Sequence, residues 1–335
     1  MVRELAPYRS PRVARSVFEL TVTLVPFLAL SGLMFAAVEA GIWLALLLVP
    51  IAAGLLLRLF LIQHDCGHGA FFPNRAANDW VGRCLGVLTL TPYACWARSH
   101  ALHHASAGNL DARGFGDVDT LTVREFHSTS RWRQMLYRFY RHPLVLLGLG
   151  PAYLFLLRHR LPIGLMTAGS RYWVSALGTN AATALILVAL AGQFGLGSVL
   201  IVQLPVSLLA ASVGVWLFYV QHQFEEAHWE RDPRWSFHEA ALHGSSHLEL
   251  PAILRWFTAN IGAHHVHHLA SRVPYYRLPE VLADRPELIP LNRLTIRDTV
   301  RTFRLALWDE DQRRLVPFAA ACGATSSNHA GPGSI

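Results

Sequence analysis

Eighteen histidines stand in this 335-residue chain, and they are unevenly spread. His64 and His68 bracket the box HDCGH, at i and i+4. His100, His103 and His104 fill HALHH at i, i+3 and i+4. His264, His267 and His268 repeat that spacing inside HHVHH. On a helix these offsets bring side chains onto one face. Neutral imidazole suits iron, zinc, copper and nickel and is a poor partner for the hard, oxygen-preferring ions. Three boxes of neighbouring imidazoles can therefore enclose metal. His265 sits one step, about 100° round the helix, off the ligand face. It is expected beside the site, orienting or structural, and not in it.

A further contributor follows the last apolar run, in FYVQHQFEEAHW (218–229), where His222 lies at a helix end. It raises the candidates to nine. A single zinc takes four ligands, usually with cysteine in structural sites, so nine imidazoles fit two ions better than one. Iron is the choice that adds redox chemistry, because two irons can share the reduction of dioxygen between stored electrons and a substrate C–H bond. The scattered histidines, His127, His142, His159, His228, His238, His243, His247 and His329, read as ordinary satisfied polar residues.

The elements that must carry these boxes are apolar. Hydrophobic residues make up 53% of the chain and charged ones 15%, a balance that points to the bilayer. Apolar runs over about 20–38, 41–62, 173–191 and 196–220, the second carrying Arg58 near its end, are each long enough to span as helices, and they form two hairpins. The first reads as a retained span and not a cleaved leader, since a second apolar run follows at once. Residues 143–157 and 85–95 are apolar but short and broken, and are expected to lie against the membrane. Four spans leave both termini and the 63–172 segment on one side. That side holds nearly all the basic residues, every one of them arginine, so it is expected to be cytoplasmic. His64, His68 and His222 then sit at the same depth, at the cytoplasmic ends of spans two and four. A site there adjoins the acyl chains of the bilayer, which makes a lipid the expected substrate.

The net charge of +7 follows from positive-inside loops and calls for no nucleic-acid partner. RWRQMLYRFYRH (131–142) interleaves arginine with aromatics and suits an interfacial helix. Cys66, Cys84, Cys95 and Cys322 show no CxxC spacing and no disulfide framework. Residues 1–318 read as one membrane domain, and 319–335 as a disordered tail.

At its boxes the chain resembles the membrane fatty acid desaturases. The likeness is greatest to the omega-6, or delta-12-type, acyl-lipid desaturases of bacteria and plants. It is carried by QHDCGHGAFF (63–72), GNLDARGFGDVDTLTV (108–123), QHQFE (221–225) and NIGAHHVHHLASRVPYYRLPE (260–280). The resemblance implies an all-α integral membrane fold, four transmembrane helices in two hairpins under a cytoplasmic helical cap. It implies two ferrous ions held by His64, His68, His100, His103, His104, His222, His264, His267 and His268. Dioxygen would be co-substrate, the product a cis double bond in a lipid acyl chain, and the electron donor ferredoxin or else cytochrome b5. In the acyl-CoA branch an asparagine one turn before the equivalent of His222 holds a metal-bound water. Here that position is Phe218, and Asn260 is the candidate substitute. Asp65, Glu225, Glu226, Asp111 and Asp117 are candidates to orient the imidazoles. A related hydroxylase, ketolase or alkane monooxygenase would use the same boxes. A membrane zinc hydrolase or a metal transporter would share only the histidines, and a transporter should carry ionisable groups midway through its spans.

Overall fold

The computed structural model describes residues 2–114 and 116–323. Four of its helical stretches are long and apolar enough to cross a membrane: Val13–Glu39, Trp43–His68, Ser170–Phe194 and Leu196–His222. All four run beyond the limits read from hydropathy, because helices continue through the polar interface after the apolar core has ended. The extension matters at the first, α1 (Val13–Glu39), which thereby includes Glu19. The second begins in tight turns at Trp43–Leu48 and continues as α2 (Val49–His68). Gly69 stops it with a positive φ of 66°, and the Ala70 amide closes back on the Asp65 carbonyl at 2.9 Å. The chain then lays two helices across the end of α2, namely α3 (Arg75–Leu88), capped by Asn74, and α4 (Tyr93–Ser106).

Two short helices follow, α5 (Val123–Ser128) and α6 (Arg131–Tyr140). The second buries Tyr137 and exposes Trp132, Met135, Leu136 and Phe139, the amphipathic layout expected of an interfacial helix. Wide π-type turns at Val145–Leu149 and Tyr153–Leu157 flank one α-turn, α7 (Gly150–Ala152). This segment packs against the last span and leaves Leu144, Leu149, Tyr153 and Leu157 exposed. The second hairpin is α8 (Ser170–Phe194) and α9 (Leu196–His222), turning at Gly195 with a φ of 74°. Val174, Leu177, Leu185 and Val188 stay exposed on α8, an apolar face suited to acyl chains.

The cap closes with α10 (Phe237–His243), α11 (Ala252–Phe257) and α12 (His264–Leu269). It is not wholly helical as expected. β1 (Leu121–Thr122), β2 (His247–Leu248), β3 (Arg293–Leu294), β4 (Leu305–Asp309) and β5 (Arg314–Pro317) form two small sheets, ordered β1-β4-β5 and β2-β3. Strands of two to five residues carry too little alternation to be seen in a sequence. The expected disorder from 319 is also corrected, because Phe318–Gly323 is a helix next to β5. Residues 324–335 lie outside the described residues.

Candidate metal centre

The sequence places its imidazoles on four helices, and the fold joins them at the end of the spans. α2 delivers His64 and His68, α4 delivers His100, His103 and His104, α9 ends on His222, and α12 carries His264, His267 and His268. These residues sort into two groups. His64, His68, His100, His104 and His267 make one, and His103, His222, His264 and His268 the other. Within each group the candidate ligand nitrogens lie within 4.8 Å of one another. Nitrogens about 2.0–2.1 Å from a shared ion are about 4.2 Å apart at most, so each group need contract by only about half an ångström to form a coordination shell.

Helix geometry explains the sorting. Residues at i and i+4 stand one above the other, and i+3 leans the other way. On α4, His100 and His104 serve the first group while His103 crosses to the second. On α12 the roles are exchanged: His264 and His268 serve the second group and His267 the first. His104 and His268 stack at the border, with ring centroids 4.1 Å apart. The two groups are therefore immediate neighbours.

Protons alone cannot satisfy such packing. The Nε2 atom of His222 has His103 Nε2 at 3.2 Å and His264 Nε2 at 3.0 Å. His104 Nε2 likewise faces His100 and His267, each at 3.1 Å. One ring N–H serves one neighbour, and His68 Nε2 is buried with none. Burial, first of all, pushes the pKa values of His100, His104, His264, His267 and His268 well down, and the neighbouring imidazoles add to this. The rings are neutral, with lone pairs to spare. A cation at the middle of each group is what this donor set lacks.

Three of the opposite ring nitrogens have partners, while Nδ1 of His104 and of His264 is buried with none. Asp65 meets His64 Nδ1 at 3.3 Å and accepts the Tyr275 amide at 2.7 Å, fixing α2 to the chain after α12. Asp117 accepts from His103 Nδ1. The Gly244 carbonyl takes His222 Nδ1 at 3.3 Å. Asp117→Asn is expected to weaken metal binding about tenfold to a hundredfold, measured by competition with a chromophoric chelator.

Other candidates lie elsewhere. Glu225 and Glu226 are exposed, and Glu225 pairs with Arg314 at 3.0 Å. They point away because α9 stops at His222, so the helical phase that would have carried them past the site is lost. Asp111 accepts from Arg231 at 2.5 Å and from the Asp232 amide at 3.0 Å. Asn260 donates to the Tyr275 carbonyl at 3.3 Å, and its own carbonyl accepts from Ala263 at 3.2 Å. It shapes the backbone leading to His264 and binds no imidazole. Gly262 is needed in that approach, since a Cβ there would meet the Leu248 carbonyl at 2.3 Å. His265 belongs to neither group. It donates to the Leu288 carbonyl at 2.9 Å, and burial brings its pKa down to about 4. Trp96 went unnoticed in the sequence, yet it stacks on His100 at 4.6 Å. Its signal was the i, i+4 spacing to that histidine.

A cavity of about 400 Å³ opens against both groups, touching His64, His100 and His264. Its walls are mostly apolar: Leu56, Leu57 and Phe60 from α2, and Ala210, Gly214 and Phe218 from α9.

Spanning helices whose ends gather two adjacent all-histidine groups beside an apolar cavity define a membrane protein built for metal chemistry on a hydrophobic molecule. The chain belongs to the fatty acid desaturase family, whose model matches residues 41–300. It is therefore an oxidoreductase of lipid metabolism. A fatty acid desaturase of Bacillus subtilis is 40% identical over 320 residues, covering 96% of this chain and 90% of that one. An sn-1 acyl-lipid omega-3 desaturase (ferredoxin) of Synechocystis is 30% identical, over 66% of this chain and 61% of its own length. An acyl-lipid omega-3 desaturase (cytochrome b5) of the endoplasmic reticulum of Arabidopsis thaliana is 29% identical, over 75% and 66%.

Proposed function

We propose that this protein is an oxygen-dependent acyl-lipid desaturase that introduces a cis double bond, of the delta-12 or omega-6 type, into a membrane lipid's acyl chain. The observation that carries this reading is the apolar cavity lying directly against imidazoles of both groups. Its volume is in the range of small-molecule sites, and its mostly apolar walls suit a chain of methylenes. Two irons, held by five imidazoles and by four, would supply the activation of dioxygen and the removal of two hydrogens. The residues themselves bind and exclude. Phe60, Trp96 and Phe218 hold the chain against the metals and keep bulk water away. Asp65, Asp117 and the Gly244 carbonyl fix ring orientation. The double-bond position rests on the motif flanks, while several named relatives act at omega-3.

Electrons come from outside. Ferredoxin is the donor in this reading and cytochrome b5 the alternative, each named for a relative. The net charge of +7 favours an acidic donor. The arginine distribution supports a site and both termini on the cytoplasmic side, and a bacterial cell membrane is the location in this reading. One domain would cover residues 1–318.

Expression in a host that lacks polyunsaturated lipids, followed by mass spectrometry with double-bond location, tests the reading. A fatty acid lighter by two hydrogens is the expected product. A product carrying added oxygen would replace the reading with a hydroxylase or monooxygenase, and iron-free active enzyme would end it.

A further inference from the structure

One wall of the cavity is unlike the others. Arg158, His159, Leu161 and Ile163 line it. Arg158, Leu161 and Ile163 are exposed as well, so the cavity reaches the surface here. Gly116, next to the metal groups, is the other exposed lining residue. The flanking segment turns Tyr153 and Leu157 outward, which sets this opening on an apolar, bilayer-facing side.

Two polar groups wait at the opening. Arg158 has no carboxylate within ion-pair distance among the described residues, unlike Arg113 and Arg277, which pair with Glu125 and Glu280. His159 stands behind it, held by the edge of Phe155 at 5.1 Å and by the Leu90 carbonyl. Its Nδ1 is buried and has no partner. Burial, then Arg160 and Arg158, push its pKa down to about 3, so the ring is neutral, and with its N–H turned to the Leu90 carbonyl the free Nδ1 is an acceptor for a hydroxyl of an occupant. An unpaired guanidinium beside a buried, unpartnered acceptor nitrogen, at the rim of a greasy cavity, matches an amphiphile whose head carries an anion for Arg158 and a hydroxyl for His159. Ring contacts from His159 run through Phe155, Phe60 and Trp96 to His100, which ties this rim to the metal groups.

We propose that Arg158 and His159 hold the phosphate-bearing polar head of the acyl substrate at a lateral mouth, so that the acyl chain enters from the bilayer. This rests on the desaturase reading. The phosphate is that of a phospholipid, and a coenzyme A thioester offers the same chemistry from the water side.

The test uses purified full-length enzyme with its reductant in vesicles containing either phosphatidylglycerol or diacylglycerol with the same acyl chains. A parallel arm supplies the acyl-CoA to protein in lipid-free micelles. Wild-type protein should desaturate phosphatidylglycerol in preference to diacylglycerol. Arg158→Gln should cut that preference about tenfold, chiefly through KM, as loss of one charge-assisted hydrogen bond does. Arg158→Lys should restore much of it. His159→Phe, which keeps the packing on Phe155, should cut it less. Equal losses on both lipids, or no loss, would overturn the head site. Wild-type activity confined to acyl-CoA would overturn lateral entry while leaving desaturation intact. Oxygen insertion in any arm would instead defeat the underlying reading.

Discussion

His267→Ala is expected to abolish product formation and to lower bound iron from about two per chain towards one. Iron per protein by mass spectrometry and fatty acid analysis read the two effects. The expectation follows from the cross-over on α12. His267 is the sole donor from that helix to the five-membered group, while its neighbours His264 and His268 serve the other. Its Nε2 lies 3.1 Å from His104, so its loss opens the shell at a point no other ring can fill. His265→Ala is the control, two residues away on the same short helix. It should keep both irons and most of the product. It removes the ring donor from the Leu288 carbonyl, which keeps the Leu291 amide at 3.3 Å, at a cost of about 0.5–1.5 kcal/mol in stability, seen as a lower melting temperature. Equal loss of iron in both variants would break the division of roles on α12.

That division shows how far the sequence reaches. The spacing i, i+3, i+4 was enough to place the rings of each box near one another and to set His265 apart. It did not say that i+3 would cross to a second group, because that depends on the angle at which α4 and α12 meet. Asp65 and Asp117 were legible as carboxylates near ligand boxes. Glu225 had the same signature and faces solvent, since α9 ends at His222 and the chain turns before reaching it. The backbone partners, the carbonyls of Gly244 and Leu288, have no side-chain signal at all. The spans were legible from hydropathy alone, but their ends were not, and this hid one of the most deeply buried charges among the described residues.

That charge is Glu19, in the second turn of α1, and it pairs with Arg58 of α2. Arg58 is 2% exposed and Glu19 equally so. The guanidinium also reaches Thr23 at 3.1 Å and the Tyr275 hydroxyl at 3.2 Å, donates to the Trp256 carbonyl, and lies 4.2 Å over the Trp256 ring. It thus pins the first hairpin to the chain on either side of α12. Glu19 has a second cation, Arg15 at 2.6 Å, whereas Arg58 has no second carboxylate among the described residues. Glu19→Ala therefore strands a buried cation and should cost about 3–5 kcal/mol, measured by thermal unfolding of the detergent-solubilised protein. The double replacement Glu19→Leu with Arg58→Met removes both charges and keeps the volume. It should recover most of that loss, because a buried ion pair is worth little more than a well-packed apolar pair. If the single variant is as stable as the parent, the pair is not shielded from water and α1 must sit higher in the bilayer than its burial implies. If the double variant is as unstable as the single one, the hydrogen bonds to Trp256 and Tyr275, and not the charge, hold the cap and its histidines over the spans.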